Sequence, residues 1–126
     1  MKQIIPDTNA WMAMIELKID LFRELELCCD FRYQIVVPEE VVSELNKIQL
    51  EQRGKFKRAA KLVLDIIKAK KLPLVKTEQK FLSVDDLLVD YSQHSSLVLT
   101  QDVILKKRLM KPYLTIRQKR RIMVIN

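Results

Sequence analysis

Three short stretches place acids directly behind apolar runs. "IIPDTNAWM" carries Asp7 with the polar neighbours Thr8 and Asn9, "SVDDLL" carries Asp85 and Asp86, and "LVLTQD" ends in Thr100, Gln101 and Asp102. A fourth acid, Glu44, lies in "VVPEEVVSEL". Four carboxylates brought to one place repel one another, by about 4 kcal/mol per pair at about 4 Å and an effective dielectric near 20. Protonation or a cation makes such a cluster tolerable. An all-oxygen donor set without Cys or His selects a hard ion, Mg²⁺ or Mn²⁺. Held in a basic surface, such an ion serves phosphodiester hydrolysis, where it activates water and neutralises charge on the phosphate, singly or as a pair. Each acid is also a good helix N-cap, and capping and metal binding can coexist.

The elements that must position these acids alternate along the chain. Residues 2–6 read as a short buried strand, with a helix from Thr8 and another over "LKIDLFRELELCCDF" capped by Asp20. "YQIVVP" is a second strand closed by Pro38, and a helix carrying Glu44 follows. Gly54 separates it from a helix whose apolar stripe is Phe56, Ala59, Ala60, Val63, Leu64 and Ile67. "LPLVK" is a weak strand and "TEQKFLS" a loop; Ser83 caps a helix with Asp85 and Asp86 in its first turn. "SLVLT" is a strand, "DVILKKRLM" a helix, "PYLTI" a strand, "RQKRR" a turn and "IMVI" a last strand. Alternation of this kind, with nearly continuous apolar strands, predicts an α/β fold with a mostly parallel sheet covered on both faces. Ligands of such sheets bind beyond the carboxyl ends of the strands, at a switch point, where Asp7 and Asp102 meet if their strands are neighbours.

Length and composition narrow the function. The 126 residues predict one domain spanning 1–126. A lone Gly54 excludes the glycine-rich loops of ATP- and NAD-dependent enzymes, and two adjacent cysteines with a lone His94 are too few for a zinc site. Cys28 and Cys29 are expected as reduced thiols, and His94 as a surface or structural residue. Trp11 and Phe22 are expected as core or interface aromatics. No apolar run approaches the roughly 20 residues of a membrane span, so a cytoplasmic protein without membrane contact is expected. The net charge of +7 is unevenly spread. Residues 51–80 hold 10 Lys/Arg against 3 Asp/Glu, and residues 103–126 hold 8 against none. Residues 1–50 and 81–102 are acidic. A basic rim around an acidic centre fits an enzyme acting on a polyanion.

Taken together, "IIPDTNAW", "VVPEEVVSEL", "GKFKRAAKLVLDII", "VDDLLVDYS", "LVLTQDVILKKRL" and "PYLTIRQKRRI" resemble the PIN-domain ribonucleases over essentially the whole chain. The likeness is to small stand-alone archaeal PIN proteins similar to the PIN nucleases that process small-subunit ribosomal RNA. It implies a three-layer α/β/α sandwich and Mg²⁺- or Mn²⁺-dependent endonucleolytic cleavage of RNA. It matches the family's acids to Asp7, Glu44, Asp85 and Asp102, with Asp86 left open as third acid or neighbouring ligand and with Thr8, Asn9 and Thr100 in support. RNA-backbone contacts are expected from Lys106, Lys107 and Arg108, from Arg117, Lys119, Arg120 and Arg121, and from the helix bearing Lys55 and Arg58. Apolar surface on residues 8–22 and on the helix from Phe56 points to homodimer packing. Two departures stand out: Pro6 replaces an aliphatic strand residue, and Val103 stands where many relatives carry a polar one. A non-catalytic RNA-binding ribosome-assembly factor and the toxin ribonuclease of a toxin–antitoxin pair remain as alternatives.

Overall fold

The computed structural model describes residues 1–81 and 83–126. Its elements are β1 (Lys2–Pro6), α1 (Thr8–Leu17), α2 (Leu21–Cys28), β2 (Tyr33–Ile35), β3 (Val37–Pro38), α3 (Glu39–Glu51), α4 (Lys55–Ala69), β4 (Leu74–Val75), α5 (Val84–Gln93), β5 (Leu97–Leu99), α6 (Val103–Arg108), β6 (Tyr113–Arg117) and β7 (Arg121–Ile125). Side chains start several helices as their sequence predicts. Asp7, Asp20, Ser83 and Asp102 each accept a backbone N–H of the first turn they cap. The expected loop over 77–83 includes Leu82, which lies outside the described residues.

The main sheet has the order β2-β1-β5-β6-β7; the first four strands are parallel and β7 closes the edge antiparallel to β6. Alternate residues of the central strands feed two different cores. Ile4, Leu97 and Leu99 pack with Trp11, Leu25, Leu45 and Val63, from α1, α2, α3 and α4. Ile5 and Val98 pack instead with Leu88 and Leu105, from α5 and α6. A sheet buried on both faces in this way is the three-layer α/β/α sandwich that the apolar strands predicted. Among the described residues, no helix is long and apolar enough to cross a membrane.

One expected element divides. "YQIVVP" is not a single strand: β2 ends at Ile35, and β3 leaves the main sheet to pair with β4, Val37 opposite Leu74. Pro6 accounts for the break. The Val36 N–H still reaches the Ile4 carbonyl at 3.0 Å, and the next rung of a parallel ladder would need an N–H from residue 6. Proline has none, and the Val37 N–H turns to the Pro73 carbonyl at 2.9 Å. On the opposite side β1 is undisturbed, because the Asp7 N–H bonds the Leu99 carbonyl at 2.9 Å. Pro6 thus ends one pairing while leaving intact the one that brings Asp7 to β5.

Candidate active site

Strand order makes the junction of β1 and β5 the switch point of the sheet. The chain passes from β1 to β2 on one side, and β5 later pairs on the other, with Pro6 opposite Leu99. Asp7 and Thr100 are the next residues of each strand, so they emerge side by side. The Thr100 hydroxyl donates to Asp7 Oδ2 and accepts the Asp102 N–H at 3.0 Å. Asp7 Oδ1 accepts the Ala10 N–H at 2.6 Å, as the cap of α1. One threonine therefore ties the acid behind β1 to the acid behind β5.

Asp7 is only 5% exposed. Burial pushes its carboxyl up to about 6, opposed by the hydrogen bonds from Thr100 and Ala10 and reinforced by the charges of Asp85 and Asp102. It faces a cleft of about 280 Å³ that Thr8, Glu44, Lys47, Glu51 and Asp85 also line. The Thr8 hydroxyl donates to Glu44 Oε1, fixing that carboxylate toward the cleft. Sequence spacing thus brings together Asp7, Glu44 and Asp85, with Thr8 and Asn9 at their side. Asp102 stands one step back. Its Oδ1 accepts the N–H groups of Ile104 and Leu105, and it acts on Asp7 through its charge and through Thr100.

The two adjacent aspartates part company. Asp85 enters the cleft, while Asp86 pairs with the Arg108 guanidinium at 2.6 Å, whose hydrogen bond holds its carboxyl below the usual range. Arg108 is therefore engaged by Asp86, whereas Lys107 beside it is exposed and Lys106 half-buried. Arg117, Lys119, Arg120 and Arg121 are exposed around the β6–β7 turn, and Lys55 and Arg58 on α4. Because β6 runs parallel to β5, that turn projects from the same edge of the sheet as Asp7 and Asp102. Val103 is exposed beside Asp102 and its side chain offers no donor.

Lys47 and Glu51 are cleft residues that the sequence reading passed over. The signal was present, since they follow Glu44 by three and seven residues and so share its helix face. His94 lies exposed against Asp90, and Cys28 and Cys29 are free thiols, that of Cys29 pushed up to about 12 by burial.

Chemically the cleft is an oxygen-donor site. Three carboxylates and their supporting hydroxyls suit a hard divalent cation, and the raised Asp7 carboxyl reflects burial and neighbouring negative charge that a cation would offset. Among the described residues, no three Asp, Glu, His or Cys side chains gather closely enough to enclose an ion by themselves. An ion held here takes water for the rest of its shell, as Mg²⁺ does when one or two carboxylates bind it.

Comparison with known proteins places the chain in a family. The chain is 29% identical over 127 residues to Ribonuclease VapC4 of Methanocaldococcus jannaschii, covering 95% of this chain and 94% of that protein. It is similar to the solved PIN domain endonuclease Utp24, with a TM-score of 0.78 and 27% identity over 97% of this chain and 90% of that one. A domain of a functionally unknown Methanocaldococcus jannaschii protein shares the fold, with a TM-score of 0.55 and 19% identity over 85% of this chain and 83% of that one. The family described as "PIN like domain" matches residues 4–121. With its four parallel strands, its acids at the switch point and that match, the chain belongs to the PIN-like domain family.

Proposed function

We propose that this protein is an endoribonuclease that depends on Mg²⁺ or Mn²⁺ and acts in the cytoplasm on ribosomal or precursor RNA. The observation that carries the reading is the convergence of Asp7, Glu44 and Asp85 in one cleft at the β1/β5 switch point. The likeness to Ribonuclease VapC4 and to the endonuclease Utp24 supports RNA and internal cleavage, and the likeness to ribosomal-RNA-processing PIN nucleases supports the substrate class. Asp7, Glu44 and Asp85 would hold the cation, with Asp102 behind them. Once bound, the cation supplies water activation and charge neutralisation at the phosphate.

The chain's own residues do the remaining work. Thr100 and the Ala10 N–H fix the Asp7 carboxylate, so that it meets its ligand without reorganising. Thr8 does the same for Glu44. Lys47, the cation lining this otherwise acidic cleft, is placed to meet a phosphate oxygen. The basic β6–β7 turn, rising from the same sheet edge, gives the RNA backbone a place to lie without reading its sequence.

The test is cleavage of single-stranded and pre-ribosomal RNA fragments with Mn²⁺ or Mg²⁺, comparing wild type with Asp7→Asn. Cleavage by wild type alone, abolished by chelator, is the expected result. RNA bound equally by both proteins and cut by neither would replace the nuclease reading with that of an RNA-binding assembly factor.

A further inference from the structure

A second hollow, of about 450 Å³, lies beside the acidic cleft between α1, α3 and the start of α4. Asn9, Ile48 and Gln52 line both, so the two spaces adjoin. None of the chemistry above uses it. Its apolar groups are chiefly Met12, Ile48 and Phe56, and its polar groups include three amides, Asn9, Gln52 and Gln101. Its volume lies in the range of small-molecule sites, about 300–1,000 Å³.

Phe56 decides what the hollow suits. The amphipathic pattern of α4 predicts it in the buried stripe, yet it is 47% exposed. Its ring also lines a farther hollow, on the side where Lys55 stands 5.3 Å from the ring centroid. Lys55 does not line the hollow nearer the cleft, so the ring surface there is free of it. A bare aromatic ring is a stacking platform for any base, and each amide offers both a donor and an acceptor to a base edge. The one charged group lining the hollow is the Glu16 carboxylate, with which Lys55 pairs at 3.5 Å; the exposed cations Lys57, Arg58 and Lys61 of α4 lie outside it. An aromatic ring beside three amides matches a nucleobase, by its face and by its edge.

We propose that this hollow is a nucleobase subsite, in which the base flanking the scissile phosphate stacks on Phe56. Asn9, Gln52 and Gln101 meet its edge. The subsite rests on the endoribonuclease reading. Stacking accepts every base, so any preference the enzyme has at this position comes from the three amides.

The experiment uses Asp7→Asn protein, which leaves RNA uncut, and short single strands carrying 2-aminopurine at one position at a time. Fluorescence quenching is expected at one position and is expected to vanish in the Asp7→Asn, Phe56→Ala protein. That second substitution should weaken binding about tenfold, as the loss of one stacked base predicts, while Phe56→Trp retains it. An abasic residue at the same position should weaken binding to the Phe56 protein and add nothing to Phe56→Ala. Unchanged affinity and quenching in Phe56→Ala would overturn the subsite and leave the nuclease intact. RNA binding absent even with Phe56 present would overturn the nuclease reading itself. A shift from dimer to monomer on Phe56→Ala, with RNA affinity kept, would assign this surface to a second copy of the chain and also overturn the subsite.

Discussion

Thr100 commits both of its hydrogen-bonding directions, one to Asp7 and one to the Asp102 N–H. Thr100→Val keeps its shape and removes both bonds. Cleavage is expected to fall about 10- to 100-fold, the scale of a hydrogen bond to a charged group, and Thr100→Ser to restore it. Retained cleavage by the valine variant would show that Asp7 needs no such support. Asp85 and Asp86 offer a second contrast: Asp85→Asn should lower cleavage by about 100-fold or more. Asp86→Asn should leave it near wild type and only free Arg108; the reverse order would exchange their roles. Asp7 sets a pH dependence of stability. Its carboxyl, ordinarily near 3.8, titrates at about 6 in the folded chain, so the native state holds its proton more tightly than the unfolded state. Stability from this group is therefore lost as pH rises from about 4 through 6, by about 3 kcal/mol in all. In chelator, Asp7→Asn is expected to gain on wild type in urea between pH 4 and pH 7. A constant difference between the two would exclude Asp7 as the source.

At the scale of elements, the β6–β7 hairpin concentrates what the sequence called a basic turn. Gln118 and Lys119 both adopt left-handed backbone, φ 54° and 57°, and Arg117 faces Arg121 across the ladder. Neither residue favours that conformation. Gln118→Asn with Lys119→Gly is expected to stabilise the protein by about 1 kcal/mol, by supplying residues such a turn prefers. Alanine at Lys119 and Arg120 should instead weaken RNA binding evenly across sequences. Each lost phosphate contact should shallow the salt dependence of log K by about 0.7. A slope unchanged by both substitutions would move the RNA path off this hairpin. Most elements were legible because each carries its own period and cap, as Ser83 does for α5 and Asp20 for α2. Residues 33–38 were not, because their β-branched run continues without interruption. The cause of the break, Pro6, belongs to a different strand. Phe56 misled in a related way: helical spacing names a face, but α4 outruns the surface available to bury it.

For the molecule as a whole, the acids could be matched to one edge from the sequence, because parallel α/β topology gathers residues from the ends of its strands. Topology did not choose between Asp85 and Asp86; there the family resemblance favoured Asp85 and left Asp86 open. Consecutive helical residues differ by a rotation of about 100°, and only the packing of α5 decides which of the two looks into the cleft. A cation bound at that edge ties several elements together and should stabilise the whole fold by mass action, by about 2.7 kcal/mol at a hundredfold excess over Kd. The thermal midpoint is expected to climb with Mg²⁺ or Mn²⁺ in wild type and to stay level in Asp7→Asn. A wild-type midpoint indifferent to either ion would remove the metal from the proposal. The Asp7–Thr100 hydrogen bond has one more consequence, for its partners lie 93 residues apart in the chain. During translation Asp7 leaves the ribosome long before Thr100 exists, and it lacks this partner until β5 has been made and laid against β1. If the protein cuts RNA as proposed, its site is completed only near the end of its own manufacture, when the nearest RNA is the machine that is building it.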